Sequence, residues 1–148
     1  MKISRSNIES YIEVLRQNGV ELNPPMDLDA LRAIAIELSI PKDVEEFYRH
    51  CDGMPEDSAD PRNEVHLNSA SLIKEYNGEL LIDKGFSFCD KFNIIGNIMI
   101  WSSVIMVGKS GYSDVENGIY LLTSKNPERI FSSFCEFIDE AITGDLII

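Results

Sequence analysis

His50, Cys51 and Asp52 are consecutive in a chain of 148 residues. Together they hold the groups of a nucleophile, a base and an orienting carboxylate. Their spacing argues against that use. Neighbours on a helix project about 100° apart and do not face one another. Cys51 also falls in an apolar stripe, whereas a reactive thiol needs an exposed, electropositive setting. His50 fits better as a cation at a helix C-terminus. Gly108-Lys109-Ser110 has the end of a phosphate-binding loop, but the Gly required five residues earlier is Ser103. Gly111-Tyr112-Ser113-Asp114 reads as a turn where that loop needs a helix, so nucleotide binding is rejected.

Carboxylates form two further candidate sites. Glu56, Asp57, Asp60 and Glu64 accompany His66, but without the alternating ligands and terminal Glu of an EF-hand. The chain has only 2 His, which argues against zinc. No metal or cofactor is expected. The same carboxylates, on a loop stiffened by Pro55 and Pro61, suit recognition of Lys and Arg on a partner. Tyr112, Asp114 and Glu116 make the second cluster, a mixture frequent at interfaces and equally at home in an ordinary hairpin loop. The candidate partner-binding set is therefore Asp52, Glu56, Asp57, Asp60, Glu64, Tyr112, Asp114 and Glu116.

Net charge agrees with a basic partner. It is −12, which repels nucleic-acid phosphates and anionic membranes and steers in cationic proteins. Apolar residues make up 44% and charged residues 26%, enough for one domain over 1–148 with its own core. The 3 Cys are odd in number and irregularly spaced, so they read as reduced thiols, with Cys51 and Cys135 buried. The N-terminus has no secretory pattern and the longest apolar run, Ile94 to Val107, is too short and interrupted to span a bilayer. A cytoplasmic location is expected.

The elements that must position these residues are legible from periodicity. Ile8, Tyr11, Ile12 and Leu15 mark a first helix, ended by Asn18-Gly19. Asn23-Pro24-Pro25 is an extended connector, and Asp27 caps a second helix with Leu28, Leu31, Ile34, Ala35 and Leu38 on its apolar face. Ile40, Val44, Phe47, Tyr48 and Cys51 form the stripe of a third helix, with Pro41 at its start and Gly53 as its left-handed stop. Met54 to Asn63 reads as an exposed acidic loop, and Glu64 to Leu67 as a short strand. A helix from Ser69 is expected to close at Asn77-Gly78, with Leu80-Leu81-Ile82 undecided between strand and loop. Phe92 to Ile95, Ile98 to Trp101, Val104 to Val107 and Ile119 to Leu122 read as strands, the middle two covered on both faces. Trp101 is expected in the core. Ser133 to Glu136 has capping-box spacing, and Phe134, Phe137, Ile138, Ala141 and Ile142 form a closing helix that ends at Gly144. Helices first, then strands, then one helix is the order of an α+β fold with a mainly antiparallel sheet. A free sheet edge leaves room for a weak homodimer beside the monomer.

Several of these segments carry a resemblance. Ile40-Pro41, Val44, Phe47-Tyr48 and Asp52-Gly53, then Val65-His66-Leu67 and a helix from Ser69, resemble the opening signature of the SUKH superfamily (SMI/KNR-type domains). Ile95-Gly96, Gly118-Ile119-Tyr120 and Ser133-Phe134-Cys135-Glu136-Phe137-Ile138 resemble its central sheet and closing helix. The likeness spans about Asp27 to Thr143. Ile40 stands where Leu is usual, and Asp52-Gly53-Met54 where Asn-Gly-Gly is usual. The resemblance implies a non-enzymatic binding domain. In bacteria that means an immunity protein neutralising a toxin domain, often a nuclease. In fungi it means a regulatory scaffold for signalling or cell-wall proteins. A hydrolase using His50 or His66 is the third and least favoured reading.

Overall fold

Three helices open the chain: α1 (Arg5–Gln17), α2 (Leu28–Leu38) and α3 (Lys42–His50). The computed structural model describes residues 5–84, 89–99, 103–122, 126–144 and 146. Ile8, Tyr11, Ile12 and Leu15 are buried on α1, and Gly19 adopts a left-handed φ of 76° beyond its end. Asp27 caps α2 by accepting the Ala30 N–H at 3.1 Å. Leu31, Ala35 and Leu38 are buried, but Leu28 is 63% exposed, so the buried stripe starts one turn later than expected. The whole α3 stripe from Ile40 to Cys51 is buried.

Gly53 does not stop α3. The helix ends at His50 because Cys51 turns extended, with φ −160°. Gly53 has φ 69°, and a Cβ there would lie 2.4 Å from the Asn68 carbonyl oxygen. It is a point of close backbone approach. The flanking residues are stitched on both sides: Asn23 N–H donates to the Gly53 carbonyl at 2.9 Å, and Met54 N–H to that of Leu67 at 2.8 Å.

The sheet is a five-stranded antiparallel meander, β1 (Val65–Leu67), β2 (Phe92–Ile98), β3 (Ser103–Gly108), β4 (Ile119–Leu122) and β5 (Glu128–Phe131), in that spatial order. With α4 (Ile73–Lys84) before β2 and α5 (Phe134–Thr143) after β5, the fold is α+β. Ile95, Ile98, Ile105, Val107 and Ile119 join the core shared with α1, α2, α3 and α5. Phe92, Ile94, Val104, Met106, Tyr120 and Leu122 form a second cluster with Val115, against which Tyr76 of α4 packs. Two buried faces are why β3 reads as an almost unbroken apolar run.

Four expectations about elements are corrected. First, α4 runs through Asn77-Gly78 to Lys84, so Leu80, Leu81 and Ile82 are helical. Asn77 turns its side chain to the edge of β2 instead of ending the helix: its Oδ1 accepts the Ile94 N–H at 2.8 Å. Second, β2 passes through Gly96 and ends at Ile98, with Met99 in a turn. A Cβ at Gly96 would lie 2.3 Å from the His66 carbonyl oxygen, so Gly permits the β1–β2 approach. A bulge between Ile94 and Gly96 sends Ile95 and Ile98, three apart, to the same core. Third, β5 was not anticipated, since Glu-Arg-Ile-Phe lacks alternation. Fourth, a 3-10 turn at Ala70–Leu72 precedes α4, and Ser69 supplies no side-chain cap. Trp101 and Ile100 lie outside the described residues. Ser133 caps α5 as expected, its Oγ accepting the Glu136 N–H at 3.1 Å, and Gly144 ends it with φ 78°.

Candidate functional site

A cleft of about 470 Å³ lies beside β1 and Met99 at the end of β2. Its outer wall is the stretch from Glu56 to Pro61, with Glu64; its floor and far wall include His66, Tyr76, Asn97 and Met99. Two non-glycine residues at its rim hold left-handed backbone, Glu64 at φ 58° and Met99 at φ 51°. They are joined, since the Met99 N–H donates to the Glu64 carbonyl at 3.0 Å. Such conformations cost on the order of 1–3 kcal/mol each and persist where surrounding structure holds them. Met99 is left 51% exposed, while Glu56, Asp57 and Glu64 are exposed carboxylates.

The cleft is electronegative, and Tyr76 registers it. Its phenol is pushed above the usual tyrosine range, first by burial and then by Glu56, Glu75 and Glu79. His66 projects from β1 on the face opposite Val65 and Leu67. Its Nδ1 lies 2.6 Å from the Ser58 carbonyl oxygen. A carbonyl only accepts, so Nδ1 carries the proton and Nε2 is the acceptor of the neutral ring. That bond ties the acidic wall to β1.

Asp60 and Asp52 are corrections to the expected partner-binding set. Asp60 is fully buried. Its carboxylate accepts the Arg62 N–H at 3.0 Å and the Asn63 side-chain amide at 2.9 Å, and pairs with Arg62 Nη2 at 3.4 Å. Arg62 in turn donates to the Ala141 and Ile142 carbonyls at 2.9 and 3.0 Å. Those carbonyls lie in the last turn of α5, at its negative end, where that of Ala141 also accepts the Asn63 amide and the Gly144 N–H. The Asp60–Asn63 turn is thus an anchor to α5, not a docking group. Met54 is also buried, so the segment is exposed only between Pro55 and Ala59 and again at Pro61 and Glu64. Asp52 is half-buried and accepts the Ser69 hydroxyl at 2.6 Å and the Ala70 N–H at 2.9 Å. It caps the turn into α4.

The second cluster is exposed but differently placed. Tyr112 is 38% exposed. Asp114 pairs with Lys91 at 3.0 Å, which holds its carboxyl below the usual range. Glu116 accepts the Gly111 N–H at 2.7 Å. Asn117, at φ 60°, bonds to Asp43 of α3 at 2.8 Å. This loop leaves β3 at Gly108, opposite Phe92, whereas Glu64 adjoins the Ile98 end of β2. Seven residues of strand separate the two ends, about 20 Å. The two acidic loops do not form one surface.

The His50-Cys51-Asp52 side chains diverge. His50 Nε2 is 3.2 Å from Glu46, Asp52 faces Ser69, and Cys51 is buried with its thiol pushed up to about 11 by that burial. Sequence reasoning missed Tyr76, Asn97 and Met99, which complete the cleft. A left-handed Met in a turn leaves no pattern to read. It also missed Glu45, whose buried side chain is gripped by Arg32 and Arg49. Among the described residues, no group of three His, Cys, Asp or Glu side chains is placed to hold a metal ion, and no helix is long and apolar enough to cross a membrane. No family model matches the chain, and no curated protein matches it.

Proposed function

We propose that this protein is a non-enzymatic binding protein, an immunity protein of SUKH type that neutralises a basic, nuclease-like toxin domain in the cytoplasm. Its recognition surface is the acidic cleft. The observation that carries the reading is the rim pair Glu64 and Met99: two costly left-handed residues set a carboxylate and an exposed thioether side by side beside Glu56 and Asp57. A cationic side chain of the partner lays its aliphatic stem on Met99 and Tyr76 and its head among the carboxylates. The net charge of −12 speeds the encounter, and the desolvated contacts at Met99 hold the complex. The resemblance of the α3 and α5 segments to SUKH domains supports the toxin reading over the hydrolase.

The test is association with the basic domain encoded by a neighbouring gene. Glu56→Gln, Asp57→Asn and Glu64→Gln together should lower the on-rate about tenfold at low salt and flatten its salt dependence. An unchanged on-rate and salt slope refute the cleft as the docking surface. Weak, salt-insensitive binding to a signalling or cell-wall protein instead favours the scaffold.

A further inference from the structure

Among the described residues that line the cleft, His66 alone can carry a positive charge. The carboxylates that share the space with it are Glu56, Asp57 and Glu64 on the wall. Asp60 is turned away, buried against Arg62. From α4 comes Tyr76, whose phenol holds its proton past neutrality because burial, and then Glu56, Glu75 and Glu79, push it up. From β2 and its end come Asn97 and Met99, both uncharged. One end of the imidazole is already committed. Nδ1 donates to the Ser58 carbonyl at 2.6 Å, so a further proton can be gained only at Nε2. Nε2 bonds to no described residue and is not shut away from solvent. Protonation there leaves the Ser58 bond intact. The wall keeps its place, and only the charge of the cleft changes.

We infer that a cationic guest enters this cleft in exchange for a proton on His66. The exchange rests on the reading of the cleft as a docking surface for basic groups, and it sets when that surface is open. Neutral, the ring presents Nε2 as an acceptor for a guest N–H beside the carboxylates. Protonated, Nε2 becomes a donor and the ring a cation, so the guest loses an acceptor and meets a like charge. Guest and proton then compete for one set of carboxylates. Imidazole is the side chain that ordinarily changes charge between about pH 5 and 8, whereas carboxylates ordinarily do so near about pH 4. Acid therefore empties the cleft before the wall itself is neutralised. Exchange of one proton allows at most about a tenfold loss of affinity per pH unit. The chain has 2 His, so the rival source of such a dependence is His50, which sits beside Glu46 on α3.

The test is calorimetry of the full chain with N-acetyl hexa-arginine amide at low salt, a probe with no group that titrates near neutrality. Affinity should fall at least about threefold from about pH 7.5 to about pH 5.5. Midway, binding should release protons, read as a heat that differs between buffers of unlike ionisation enthalpy. His66→Gln, neutral throughout, should bind equally across the range and release none, while His50→Gln should follow the wild type. Circular dichroism checks that each variant is folded. If His66→Gln is not, the wild-type proton release and His50→Gln decide. An affinity that is flat or rises in acid overturns the exchange, as does a dependence that survives His66→Gln or disappears in His50→Gln. Glu56→Gln with Asp57→Asn and Glu64→Gln separates the two readings. If that variant binds the probe more weakly but the wild type shows no pH dependence, the cleft stands and the exchange falls. If it binds as the wild type does, or if the wild type does not bind, both fall.

Discussion

Replacing Arg62 by Met should remove much of the stability of this protein, although the side chain sits on what reads in the sequence as a solvent loop. The change leaves the Asp60 carboxylate, fully buried, without its cation. Breaking a buried pair in this way costs about 3–5 kcal/mol. The Arg62 main-chain N–H and the Asn63 amide still bond to Asp60, which favours the lower half of that range. Of the two α5 carbonyls, that of Ile142 loses its side-chain donor at about 1 kcal/mol, whereas that of Ala141 keeps the Asn63 amide and the Gly144 N–H. The sum is about 4 kcal/mol, a large part of the 5–15 kcal/mol typical of a domain. Urea denaturation reads it as a midpoint shift of roughly 2 M. Asp60→Asn and the double variant complete a cycle, with an expected coupling of at least about 1 kcal/mol. A loss under about 1 kcal/mol for Arg62→Met, or no coupling, refutes the anchor and returns Asp60 to the candidate docking groups.

Other outcomes follow from the same geometry. Met99→Gly should raise stability by about 1 kcal/mol in thermal or urea melts, by relieving a left-handed φ, while speeding dissociation of the cleft's partner. Gly53→Ala should cost at least about 2 kcal/mol in the same melts, because its Cβ meets the Asn68 carbonyl at 2.4 Å on a φ of 69°. Stability should be flat up to pH 9 and fall above it. Burial raises the Cys51 thiol from 9.0 to about 11 and that of Cys135 from 9.0 to about 12, so between those values the unfolded chain has shed protons that the folded chain keeps. Urea midpoints from pH 7.5 to 10.5 check the sign, and the fall should shrink in Cys51→Ala.

The helices were readable because their signals are local. The α3 stripe, the Asp27 cap and the Ser133 cap each need only a few neighbouring residues, and each folds where its pattern lies. What escaped depends on residues far apart in sequence. Asp60 looks like any loop carboxylate until Arg62 reaches α5, 79 positions on. Gly96 looks like a strand break because the backbone that needs its missing Cβ belongs to β1. Asn77-Gly78 looks like a helix stop because the edge that Asn77 serves is on β2. For the cleft, the carboxylates Glu56, Asp57 and Glu64 were legible, but the left-handed Met99 that sets its apolar side was not.

The two helices at either extreme of the fold lie against each other, with Asn7 donating to Asp139 at 2.8 Å. In a chain made from its N-terminus, the side of α1 that faces α5 therefore stays uncovered until α5 has been made, about 120 residues later. The turn that shapes the acidic wall waits as well, since its grip is on carbonyls at positions 141 and 142. Every ribosome-bound intermediate shorter than that lacks the finished acidic wall, so the partner capture proposed for the cleft would arrive late.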